Sequence, residues 1–376
     1  MEGQPKKRNL SRKKIAVLLG AVLLVLLTVT LILNRDRLTF GHITRAIQYR
    51  NLGSASLAED FRFASLGSNT FAVLDDGIAV ASGSGLAFFD RAGREVYAAQ
   101  ASMQQPVIET EGSFALAYDL GGLDILVGNT REVLRHKEAD GRIIDARINE
   151  NGWVTVSSEQ IGTLGVVHVY DAQGQARLRV LAGDGHLIAA ALAADNRTLI
   201  TLTMTETGGR VAWFCADVGG DPQHVHLEED ELFFDLWFTA RDGAVGVISS
   251  NMVRFLSNTG ELTSEYLFPD LHLRAYDTYG GRAGLHLSPF RTGAGGTLAV
   301  LEPNGSPRET LAEGTVIDIS LRGRFLAVLY FNRLDTYRNG RAYASWDDTE
   351  GMTRVLMRED GTVFRLSPQR ARLLVP

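Results

Sequence analysis

Cysteine is almost missing from this chain: Cys215 stands alone among 376 residues, which excludes an intramolecular disulfide. Stability then rests on core packing, and a chain of this length can bury a large core. A basic surplus is missing too. The formal net charge is −6, although Met1–Lys14 is strongly basic, so the rest is more acidic still. Phosphate contacts need a basic face, and nucleic acid is excluded as a partner. From about residue 57 onward no stretch carries a convincing helical period.

Chemical motifs are equally scarce. There is no Asp-x-Asp-x-Asp-Gly loop for calcium and no Gly-x-Ser-x-Gly elbow for a nucleophilic serine. Ser82-Gly83-Ser84-Gly85 has the wrong spacing and reads as a turn. Gly293-Ala294-Gly295-Gly296 is followed by no helix and reads as a hairpin tip, not a phosphate cradle. Cys215 lies in the apolar strand Val211–Ala216 and is expected to be a buried, inert thiol. No cofactor is expected.

What is present begins at the N-terminus. Lys6, Lys7, Arg8, Arg12, Lys13 and Lys14 precede an uncharged run, Ile15–Leu33. At about 1.5 Å per residue, that run spans a hydrocarbon core of roughly 30 Å as a helix. It ends in Asn34-Arg35-Asp36-Arg37 without a small-x-small cleavage site, so it is expected to stay as an anchor. The basic cluster places residues 1–14 in the cytoplasm, 15–33 in the cytoplasmic membrane and the rest outside. Residues 34–56 form a membrane-proximal stalk. In it Leu38, Ile43 and Ile47 alternate with Arg45 and Arg50, a pattern suited to a surface-lying amphipathic helix or a plain helical stalk.

Residues 57–376 read as short strands and turns. Asp76-Gly77, Glu111-Gly112, Asn151-Gly152, Asp242-Gly243 and Asp360-Gly361 supply the positive φ angles of tight hairpins. A second turn follows each hairpin and carries Gly174, Gly260 or Gly340, two units apart. A unit is therefore roughly 40 residues, the length of a four-stranded, WD40-like propeller blade. Eight units begin near Thr70, Pro106, Ile143, Leu187, Phe233, Leu273, Val316 and Met352. The fold class is all-β: a single β-propeller of eight four-stranded blades, seven being the alternative count, after one transmembrane helix. The last unit holds three strands, and Leu57–Ser65 is expected to supply the fourth.

Gln48-Tyr49-Arg50 and Tyr118-Asp119-Leu120-Gly121-Gly122, after a basic leader and an apolar anchor, resemble the domain-of-unknown-function 5711 family. The resemblance implies a membrane-anchored, propeller-like protein at a bacterial cell surface, and it carries over no catalytic residues.

Two constellations remain. His224, His226 and Glu228 alternate on one strand as metal ligands would. The simpler reading turns Val225 and Leu227 inward and leaves those polar groups in solvent. Secondly, three units open apolar-apolar-Asp: Ile143-Ile144-Asp145, Phe233-Phe234-Asp235 and Val316-Ile317-Asp318. Arg274 and Arg354 fall near the equivalent place in two others, giving a candidate polar ring at one channel mouth. As structural groups the aspartates would bind neighbouring backbone. As functional groups they would hold a ligand. A non-catalytic binding or scaffolding module is the leading expectation, with envelope proteins or cell-wall polymer as partners. The alternative is a channel-mouth lyase or hydrolase using Asp145, Asp235 or Asp318 and a recruited metal.

Overall fold

The computed structural model describes residues 61–63, 69–75 and 77–376. The basic tail, the 15–33 anchor and the stalk lie outside the described residues. Among the described residues no helix is long and apolar enough to cross a membrane.

Every regular element described is a strand, and all pair antiparallel, with sequence neighbours except where Phe61–Arg62 meets the end of the chain. Six sheets have four strands and one has seven. The seven-stranded sheet is two units joined by one long strand, Pro307–Arg322. Its first half pairs with Ala294–Leu301 as an outer strand, and its second half pairs with Phe325–Tyr330 as an inner strand. Eight four-stranded units result. Their inner strands are Thr70–Leu74, Pro106–Glu111, Ile143–Ile148, His186–Leu192, Asp235–Phe238, His272–Tyr279, the second half of Pro307–Arg322, and Arg354–Met357.

Apolar residues decide how these sheets stack. Seven core clusters each lie between two consecutive sheets. In one of them Ala191, Ile200, Val211 and Trp213 of the fourth sheet pack on Phe233, Leu236 and Val247 of the fifth. The second and third strands are covered on both faces, so Val154–Ser158 and Val166–Tyr170 are buried throughout. Thr201 and Thr203 are buried for the same reason.

The eighth sheet takes its outer strand from the front of the domain. Phe61–Arg62 pairs with Arg370–Leu374, aligning Phe61 with Ala371 and Arg62 with Arg370. Phe63 follows and is buried, its ring 5.1 Å from Phe71 and 5.2 Å from Phe89. The inner strands of the first and eighth sheets lie against each other, so the stack turns around a common axis.

The family-like motif is a latch between sheets. Asp119 is buried, and its Oδ1 accepts the backbone N–H of Gln104 at 2.8 Å and of Gln105 at 2.7 Å. Gly121 donates its N–H to Ile143, and Ile143 donates to Gly122, tying the second sheet to the third. A Cβ on Gly122 would stand 2.0 Å from Asp119 Oδ2, which requires glycine there.

Candidate functional site

The inner strands of all eight units line one cavity of about 800 Å³. It takes in first-hairpin turn residues such as Glu150, Arg241 and Gly281, so it opens at that end of the sheets. Charged side chains run deep inside it.

Arg147 is at their centre. Its Nε donates to Asp145 in its own strand at 3.0 Å. Its Nη2 reaches Asp235 of the fifth sheet at 2.6 Å, and Nη1 reaches the Leu236 carbonyl at 3.0 Å. Tyr276 of the sixth sheet donates its hydroxyl to the other Asp235 oxygen at 2.9 Å. Burial works against the Arg147 charge, but Asp145, Asp235 and Glu109 outweigh it and hold the guanidinium's pKa well above its ordinary value. Burial also pushes the Asp145 carboxyl up, with Arg147 opposing.

Two further acids join neighbouring sheets. Asp277 accepts the Leu321 N–H at 2.7 Å and the Ser320 hydroxyl at 3.2 Å, with Arg322 at 3.4 Å. Asp318 accepts the Val355 N–H at 2.8 Å and Arg354 at 3.1 Å. Burial pushes the Asp318 carboxyl up to about 6 despite Arg354. Glu109, on the second inner strand, differs from these. Among the described residues it accepts no hydrogen bond and makes no ion pair. It is half-buried and lines the cavity. Desolvation pushes its carboxyl up to about 7, Arg147 opposing and Asp145, Asp235 and Asp277 reinforcing.

The five residues expected as a ring are thus not equivalent. Asp235, Asp318 and Arg354 line the cavity near the start of the inner strands, at the end away from those turns. Asp145 turns to Arg147 behind the wall. Arg274 lies elsewhere: it is exposed and sits on a β-bulge between Leu273 and Ala275. Matching bulges occur between Ile143 and Asp145 and between Val316 and Asp318. The middle residue of apolar-apolar-Asp is therefore expelled from the ladder, and Arg274 occupies that outward position while Ala275 takes the aspartate's place. Glu109, Arg147, Tyr276 and Asp277 were not anticipated. Arg147 alone carried a signal, an arginine two residues beyond Asp145 on the same strand face.

The histidine pair also needs correction. Val225 and Leu227 point outward, 42% and 61% exposed, while His226 and Glu228 turn in. Glu228 binds Arg254 of the next sheet at 2.8 Å, and that intersheet pair sets the strand's facing. His286 is fully buried with Nε2 3.0 Å from the Gly295 carbonyl, and burial lowers its pKa. Cys215 ends its strand partly exposed. Among the described residues no group of three or more His, Cys, Asp and Glu side chains is placed to hold a metal ion.

Four-stranded sheets arranged radially around a charged channel define a β-propeller. The structure of Sqt1 from Saccharomyces cerevisiae is similar, with a TM-score of 0.60 at 10% identity over 85% of this chain and 100% of that one. The β-propeller domain of Cps50 (Swd1) from Myceliophteria thermophila gives 0.51 at 10% identity, covering 84% and 98%. Both likenesses concern the fold alone. Residues 48–213 match the model of a family of unknown function, DUF5711. No curated protein sequence matches the chain.

Proposed function

We propose that the chain is a non-catalytic binding module, an eight-bladed propeller held outside the cytoplasmic membrane by residues 15–33, which docks an envelope protein. One observation carries this reading. Exposed apolar side chains in turns gather at the end of the sheets opposite the cavity mouth: Leu123, Ile161, Leu164, Phe234, Phe290 and Phe331. At the other end, among the described residues, Val218 is the one large apolar turn residue exposed. Such a concentration on one face marks a protein-contact surface. Asp140, Glu159, Asp184, Glu206 and Asp230 are exposed at the same end together with Arg142, Arg274 and Arg291, so the partner should offer apolar groups flanked by charges of both signs.

The test is affinity capture from solubilised membranes with the full chain and a Phe234→Ser, Phe290→Ser, Phe331→Ser variant. A partner recovered by the native chain and lost by the variant supports docking on this face. Equal recovery by both, or none by either, overturns it. A second reading, a channel lyase or hydrolase with a recruited metal, is favoured by one observation: Glu109 and Asp318 both titrate near neutral pH. Stoichiometric metal in the purified protein would favour that reading.

A further inference from the structure

Beyond partner docking, we infer that the channel is a binding site for a small aliphatic ammonium ligand, with Glu109 as its deep counter-ion and Glu111 as its counter-ion at the mouth. The cavity, about 800 Å³, falls within the size range of small-molecule sites. Six carboxylates line it against four guanidiniums, which leaves it short of positive charge.

The shortfall can be located residue by residue. Asp235 is held by Arg147 and Tyr276, Asp277 by Leu321, Ser320 and Arg322, and Asp318 by Arg354 and Val355. Glu150 pairs with Arg241 at 3.0 Å. Only Glu109 and Glu111, among the described residues lining the cavity, have carboxylates with no hydrogen bond or ion pair. They stand two residues apart on Pro106–Glu111, so they share one strand face with backbone positions roughly 7 Å apart. That spacing matches the two nitrogens of a short diamine. Arg147 is too fully engaged by its aspartates to serve as the partner of Glu109, and a ligand ammonium supplies what the wall does not.

Binding requires Glu109 ionised, so a proton leaves as the ammonium enters. The charged and titratable groups facing Glu109 are Arg147 and Asp145 of the third sheet, Asp235 of the fifth and Asp277 of the sixth, with Tyr118 and Tyr276 beside it. The test titrates the detergent-solubilised full chain with 1,4-diaminobutane and with butylammonium by calorimetry, against sodium chloride at matched ionic strength. Saturable diamine binding should be about tenfold weaker near pH 6 than near pH 8, as protonation of Glu109 competes. Glu109→Gln should abolish binding of both amines, and Glu111→Gln should weaken the diamine alone. No saturable binding to the native chain near pH 8 overturns the assignment. So does equal affinity in a folded Glu109→Gln variant, and if that variant does not fold, a flat pH profile of the native chain does the same.

Discussion

Arg147 in the third sheet bonds Asp235 in the fifth at 2.6 Å, crossing the sheet that lies between them. The intervening inner strand presents Ala189, Ala190 and Ala191 there, which leave the span open. The bond ties together residues 88 positions apart in the chain. Arg147→Met would leave Asp145 and Asp235 charged without their partner. We expect a loss of about 3–5 kcal/mol, the usual cost of breaking a buried ion pair from one side, read from urea midpoints. Adding Asp235→Asn should restore part of the loss. Additive effects would show that the contact carries no coupling.

Phe63 joins the eighth sheet to the first through its edge contact with Phe89 and its tilted contact with Phe71. Phe63→Ala should cost about 3 kcal/mol or more, and Phe63→Leu less than about 1.5 kcal/mol. Thermal unfolding checks both. A change below about 0.5 kcal/mol for alanine would mean that this closure contributes little.

Asp119 and Gly122 form one device, since the glycine exists to admit the carboxylate. Asp119→Ala strands the Gln104 and Gln105 N–H groups and should cost about 2–4 kcal/mol. Gly122→Ala should destabilise the native chain through its clash with Asp119 Oδ2, yet cost less in the Asp119→Ala background. A double-mutant cycle with no coupling would contradict the latch.

Much of this architecture was legible in the residue order. The Gly174, Gly260 and Gly340 spacing located the units because each glycine holds a positive φ in the same turn, at 79°, 82° and 76°. Phe61 and Phe63 were readable as an outer strand because an open sheet edge needs a partner. The channel was harder. A bulge shifts each affected inner strand by one residue, so Arg274 looked equivalent to aspartates that in fact align with Ala275. Arg147 meets Asp235 past the sheet between them, and no local pattern records a contact between non-adjacent sheets. Val225 and Leu227 misled for a related reason: the facing of an outer strand is set by the next sheet's Arg254.

Glu109 makes the pH dependence of stability a direct test of the channel's character. Its folded pKa is about 7, above its ordinary value of 4.5, chiefly through desolvation. The native state therefore holds this proton longer than the unfolded chain does. The stabilisation is complete below about pH 4.5 and is lost as pH rises through about 7. At 1.36 kcal/mol per unit, reduced for the water the channel admits, the loss is about 2 kcal/mol. Glu109→Gln removes the titration, while Asp318, also raised, titrates in both proteins. The variant should match the native chain near pH 4 and exceed it by about 2 kcal/mol near pH 8. Parallel curves over that range would mean a well-solvated Glu109, and with it the deep end of the ammonium site would go.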